Sequence, residues 1–229
     1  MGAVVALDGL LSQRRIWRGQ PVSAALAAIQ PTGLMELDTV LPAGGWPDAA
    51  LTELLLAADG VGELELLWPT LARLSAGDGL IVLVAPPYRP FAPAWQAAGV
   101  RLRGLQVIEA NARDALWASE QCLRSGACAA VLCWPQQADD RALRRLQVAA
   151  ETGQALGFAF RPLKVAADPS PAALRIALDA SPRQLRVLKC RGALAPPRPI
   201  PFPVGASLPT RSGFKAPVLK PTPQSRPAG

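Results

Sequence analysis

The strongest constraint in this chain is a set of short, continuous apolar runs that alternate with longer amphipathic stretches. "LTELLLA", "GLIVLVA", "AAVLCW" and "LGFAFRPL" are each of strand length. A run apolar at nearly every position has no solvent face, so the sheet it joins is covered on both sides. The stretches between supply the cover. From Gly62 to Leu74, Leu64, Leu67, Leu71 and Leu74 recur at three- and four-residue spacing, the pattern of an amphipathic helix, and Pro69 inside it implies a kink or a later start. "FAPAWQAAGV", "RDALWASEQCLRSG" and "DDRALRRLQVAAETGQ" read as further helices, and "LQVIEA" as a short strand. Strands alternating with helices predict an α/β fold with a mostly parallel sheet flanked by helices, its central strands near Leu54, Val82, Val131 and Phe158. "LRIALDA-SP-RQLRVLKC" adds an antiparallel hairpin.

The same reading divides the chain into three parts. Residues 1–30 form an N-terminal segment with a short helix, "SAALAAIQ", capped by Ser23 and ended by Pro31. Residues 31–192 form the core, within which Leu34, Leu37 and Leu41 fall at helical spacing. Residues 193–229 carry proline at nearly every third position, which predicts an extended, disordered, basic tail.

Composition narrows the function classes. No apolar run reaches the roughly 18–20 residues a membrane span needs, and Asp8 and Arg14-Arg15 interrupt any N-terminal apolar region, so the expectation is a cytoplasmic protein that does not engage a membrane. Histidine is absent, which removes Ser-His and Cys-His triads and the commonest general base. Cys122, Cys128, Cys133 and Cys190 show no paired spacing and are expected to be free thiols, with no metal. The net charge is +7, and the residues from Lys164 onward carry all of the excess. Such asymmetry suits an acidic protein surface or nucleic acid, and equally a solvated tail. Most of the tryptophans lie in apolar segments and are expected in the core; Trp17, among Arg14, Arg15 and Arg18, has the composition of an interface anchor.

One loop invites a chemical reading. "AADGVGEL", Ala57 to Leu64, lies between an apolar strand and a helix, where a phosphate-binding loop G-x-x-x-x-G-K-[ST] belongs. Ala57 stands for the first glycine, Gly62 keeps the second, Glu63 replaces the lysine and Leu64 the metal-binding hydroxyl. At about 4 Å and an effective dielectric of about 20, exchanging lysine for glutamate turns roughly 4 kcal/mol of attraction for each phosphate charge into repulsion. The strand "AAVLCW" ends in Cys133 and Trp134 rather than in the aspartate that helps hold magnesium. The loop is a degenerate P-loop, with neither catalysis nor a cofactor expected of it.

These stretches resemble a known group. "TGLMELDTVLPAGGWP" resembles the run before the phosphate loop of RecA-type recombinases; "AWQAAGVRLRGLQVIEANARDALWASEQCLRSGACAAVLCW" resembles the approach to their second nucleotide-contacting strand, and "LRVLKCRG" with "APP" the close of their core. With its degenerate loop, short N-terminus and Pro-rich basic tail, the chain looks most like the ImuA family, RecA-like and SulA-related accessory proteins of bacterial SOS mutagenesis cassettes. That resemblance implies a RecA-like core and a non-catalytic adaptor role in translesion DNA synthesis. The partners it implies are ImuB, RecA and the error-prone DNA polymerase, with DNA touched indirectly if at all.

The alternative is a SulA-type inhibitor of the division protein FtsZ, against which the length of the tail counts. An ATP-dependent recombinase and a simple DNA-binding module are weaker readings. Candidate partner-binding residues are Arg141, Arg144 and Arg145, which share a helix face, and Phe202, Arg211, Phe214 and Lys215 in the tail. Each has a plainer reading as a solvated face or an inert extension.

Overall fold

The structure is a computed structural model in which residues 30–135, 137–202 and 205 are described. Over these residues the chain builds one eight-stranded sheet and five α-helices. The strands are β1 (Leu51–Leu56), β2 (Leu80–Val84), β3 (Leu105–Ile108), β4 (Cys128–Cys133), β5 (Leu156–Pro162), β6 (Leu174–Ala180), β7 (Arg183–Cys190) and β8 (Ile200–Pro201). The helices are α1 (Met35–Val40), α2 (Glu63–Leu74), α3 (Ala92–Ala97), α4 (Ala112–Arg124) and α5 (Asp140–Gly153).

The sheet order is β3-β2-β4-β5-β1-β6-β7-β8. The strands from β3 to β6 run parallel, and β7 and β8 add in antiparallel sense. The four apolar runs are the four central strands, β1, β2, β4 and β5, as their two-sided hydrophobicity demands.

Alternate residues feed two cores. Leu54, Leu56, Ile81, Leu83, Leu132, Phe158 and Phe160 pack against Leu37, Leu66, Leu67, Leu71, Trp46 and Trp95 from α1, α2, α3 and their connections. Leu51, Val82, Val84, Val131 and Ala159 face Ala115, Ala118, Leu123, Leu143, Leu146 and Ala149 from α4 and α5. Each fully buried Leu, Ile, Val or Phe contributes about 1.5–3 kcal/mol, set against the entropy of ordering the chain. On the second face α4 and α5 approach so closely that a Cβ on Gly153 would lie 1.9 Å from the Leu123 carbonyl oxygen, so only glycine fits there. Helix starts follow local chemistry: Asn111 accepts from the Arg113 and Asp114 amides, and Asp139 from the Ala142 amide.

Two features depart from the sequence reading. Pro69 lies inside α2, and Gly33 packs against its ring, so the proline serves as a packing surface. The sheet also continues past Gly192: β8 pairs with β7, and Phe202 is buried in the first core beneath the Arg183 guanidinium, 4.5 Å from its ring centroid. Proline spacing hid a two-residue strand too short to carry an alternating pattern.

Charge is buried in the sheet itself. Glu53 of β1 is fully buried between Arg161 of β5 at 2.5 Å and Arg175 of β6 at 2.6 Å. Arg161 donates onward to the Ala138 carbonyl, and Arg175 to those of Val165, Ala166 and Asp168. The triad thus ties the middle of the sheet to two connections, β4–α5 and β5–β6. None of the described helices is long and apolar enough to cross a membrane.

Candidate functional site

The turn after β1 is closed by its own side chain. Gly62 adopts φ +103°, a left-handed conformation that glycine takes without strain, and α2 begins at the next residue. The Glu63 carboxylate folds back over the turn and accepts from the Gly60 amide at 2.9 Å and the Gly62 amide at 3.1 Å. Backbone donors at a helix start hold phosphate in a working loop; here a buried carboxylate occupies them, at the positive end of the α2 dipole. Arg183 of β7 pairs with Glu65 at 2.6 Å and roofs the turn, its guanidinium 1.9 Å from where a Cβ on Gly62 would stand. At the end of β4, Cys133 is buried and Trp134 stacks on Phe160 with ring centroids 4.6 Å apart. The Ala57, Gly62, Glu63 and Leu64 positions are therefore brought together as a self-satisfied turn. Among the described residues no cluster of three or more His, Cys, Asp or Glu side chains is placed to hold a metal.

A different feature stands out at the carboxyl ends of the strands. The connection from β2 to α3, Ala85-Pro86-Pro87-Tyr88-Arg89-Pro90-Phe91, forms a ridge with hollows on three sides. One, of about 780 Å³, runs beside β3 and is floored by Leu102, Leu105 and Val107. A second, of about 740 Å³, lies towards α4 and is lined by Arg113, Leu116 and Trp134. A third, of about 190 Å³, separates the ridge from Leu64 and Trp68 of α2.

The ridge is rigid at its roots and apolar at its crest. Ala85 holds φ +49°, a strained value for a residue with a Cβ, fixed by its amide donating to the Ile108 carbonyl at 2.8 Å. Three prolines restrict the backbone beyond it. At the far root Trp95 is buried edge-on against Trp68, ring centroids 4.8 Å apart. Tyr88 is nevertheless 70% exposed and Phe91 43%, and one turn along α4 from Arg113 stands Trp117, 61% exposed. Exposed aromatics with Arg89 and Arg113 on a preorganised frame have the composition of an interface hot spot.

The other candidates are dispersed. Arg145 pairs with the buried Glu120, which also holds Arg124, so it braces α5 against α4; Arg144 pairs with Asp140 at 3.3 Å on an exposed surface. Arg141 is exposed. Phe202 is buried, which removes it from any docking surface. Arg211, Phe214, Lys215, Trp17 and the helix at Ser23–Gln30 lie outside the described residues, Gln30 excepted. Tryptophan burial holds for Trp46, Trp95 and Trp134, whereas Trp117 is on the surface. The sequence reading missed the ridge because "APPYRPF" looks like an ordinary proline-rich turn. The signal within it was two aromatics and an arginine placed among three prolines.

Fold and site together define a single-sheet α/β domain with an aromatic ridge at the carboxyl ends of its central strands. The sequence profile of the family described as cell division inhibitor SulA matches residues 50–157, a span that contains the whole ridge. SulA of Pectobacterium atrosepticum is 31% identical over 114 residues, covering 49% of this chain and 68% of that protein. SulA of Pectobacterium carotovorum subsp. carotovorum is 29% identical over 133 residues, covering 57% and 77%. The crystal structure of SulA from Pseudomonas aeruginosa aligns at 28% identity and a TM-score of 0.42, over 51% of this chain and 99% of that one. The chain belongs to the SulA family of cell division inhibitors.

This corrects the assignment to the ImuA family, and with it the role in translesion synthesis and the partners ImuB, RecA and an error-prone polymerase. The reason is where the weight was placed. Tail length argued against SulA, yet residues 193–229 lie wholly outside the matched span and do not discriminate between the two families. The family is described as one of cell division inhibitors.

Proposed function

We propose that this protein halts bacterial cell division, in response to DNA damage, by binding the division protein FtsZ through the Ala85–Phe91 ridge. The observation that carries the reading is the ridge itself: two exposed aromatic side chains on a proline-stiffened loop within the span shared with the division inhibitors. Because its backbone is fixed by Ala85, the prolines and the Trp68–Trp95 contact, docking costs little ordering entropy. The flank towards α4 adds Arg113, Leu116 and Trp117, which supply a polar and aromatic rim. Inhibition on this account is stoichiometric, since the turn after β1 is closed and no nucleotide cycle drives release. The RecA-like core expected from the strand–glycine turn–helix order around Gly62 is not supported, since the relatives are SulA proteins.

The reading is tested by expressing the protein in a rod-shaped bacterium whose FtsZ it recognises. Wild-type protein should produce long, undivided filaments, and Tyr88→Ala with Phe91→Ala should restore normal cell length at equal protein level. Filamentation unchanged by the paired substitution would reject the ridge as the contact.

A further inference from the structure

Two thiols meet where α4 turns into β4. Cys122 lies in the last turn of α4 and Cys128 is the first residue of β4, and their side chains are within hydrogen-bonding reach of each other. Ser125 fixes the turn between them. Its hydroxyl donates to the Cys122 carbonyl at 2.8 Å, accepts from the Ala127 amide at 3.1 Å and lies 3.7 Å from the Cys128 sulfur. Gly126 completes the reversal at φ +72°, with open space where a Cβ would stand. The far side is anchored by Leu80 of β2, whose amide donates to the Ala127 carbonyl at 3.0 Å. The backbone thus holds the two sulfurs together while both are reduced. Residues 124–127 are exposed, Cys122 is half-buried and Cys128 is buried, so a reagent from solvent meets Cys122 first.

We infer that Cys122 and Cys128 form a redox modification site, closing to a disulfide by exchange with a low-molecular-weight disulfide. The Cys122 thiolate attacks one sulfur of the reagent. A mixed disulfide forms, the reagent's S–S bond breaks, and its other half leaves as a thiolate. Cys128, deprotonated in its turn, then attacks the Cys122 sulfur; the protein S–S bond forms and the second half of the reagent leaves. Two protein thiols are oxidised, one disulfide is reduced to two thiols, and the two protons lost by the cysteines end on them. Burial and the neighbouring sulfur hold the Cys122 thiol above its ordinary value, so the first step is slow. The second joins groups already in contact, and their high effective concentration makes it fast. A bond exchanged with small thiols is reversible, so the pair follows their redox state. The site lies at the amino end of β4, the opposite end of the sheet from the ridge, so its chemistry is independent of the ridge's contact with FtsZ.

The test is equilibration of the full chain, folded, with mixtures of reduced and oxidised glutathione, then acid quenching, alkylation of the remaining thiols and peptide mapping. Two of the four thiols should resist alkylation, linked to one another as Cys122–Cys128 with no glutathione retained. Cys128→Ser should leave glutathione on Cys122, and Cys122→Ser should leave Cys128 unmodified over the same time, both variants folded by circular dichroism. In denaturing urea the equilibrium constant for closing the bond should fall about tenfold or more, because the turn no longer holds the sulfurs together. Wild-type protein that keeps all its thiols, retains glutathione on Cys122, links a different pair, or closes Cys122–Cys128 as readily in urea as when folded would overturn the inference.

Discussion

Glu63 lies over its own turn, and its carboxylate accepts from the Gly60 amide at 2.9 Å. With the second bond, from Gly62 at 3.1 Å, the side chain does locally what a phosphate does in a nucleotide-binding loop. The turn is thereby a structural joint between β1 and α2. Replacing Glu63 by alanine should lower unfolding stability by about 1–3 kcal/mol, the cost of orphaning buried donors from a charged acceptor. A shift of the urea midpoint at unchanged slope would show it. Glu63→Lys should be no more able to bind magnesium-ATP by calorimetry than the wild type, because Leu64 and Trp134 supply no metal ligand.

The buried Glu53 is held between two guanidinium groups, and its removal leaves both without their counter-charge. Glu53→Ala should cost about 3–5 kcal/mol, enough to threaten folding at growth temperature. Arg175→Met should cost comparably, because the carbonyls of Val165, Ala166 and Asp168 lose their donor together with the carboxylate's partner. Chemical denaturation of each variant beside the wild type measures both.

How far this architecture could be read from sequence depended on element length. The runs at Leu54, Val82, Val131 and Phe158 became central strands because apolarity at successive positions leaves no alternative to two-sided burial. The hairpin of β6 and β7 was equally legible. β8 was not, since two residues cannot express a period. Charges in strands were harder still: Glu53, Arg161 and Arg175 are far apart in sequence, and only the register of β1, β5 and β6 shows that they meet. At the site, the glycine turn drew the eye by its motif, while the ridge had none. Exposure of Tyr88 is a property of the folded surface, invisible in "PPYRP".

The thiols should divide by burial. Burial pushes the Cys133 thiol up to about 12, with a smaller opposing pull from its hydrogen bond with Ser119. Cys122, half-buried, is also raised, by burial first and then by neighbouring Cys128. At neutral pH, native protein should react slowly with a disulfide reagent at Cys122 and not measurably at Cys133, and all four thiols should titrate once it is denatured. Rapid modification of Cys133 in the native state would contradict its burial in the core beneath α4 and α5.

Acid should loosen the β6–β7 hairpin. The hydrogen bond from Arg186 holds the Asp179 carboxyl below its ordinary value of 3.8, against a smaller upward push from burial. A carboxylate lowered by folding stabilises fully above its unfolded value, and that contribution is lost as the pH falls through the lower, folded one. The pair is partly exposed, so it is worth about 1 kcal/mol or less. Wild type and Asp179→Asn should therefore differ by that amount at neutral pH and converge below pH 3.8. Denaturation midpoints taken across that range read the convergence.

The central claim, that the ridge binds FtsZ, is tested most directly by sedimenting purified FtsZ assembled with GTP against increasing amounts of this protein. Wild-type protein should abolish the polymer pellet as it approaches equimolar amounts, and the form carrying Tyr88→Ala and Phe91→Ala, folded by circular dichroism, should leave the pellet intact. A pellet unaffected by wild-type protein, or one lost equally to both forms, would contradict the account.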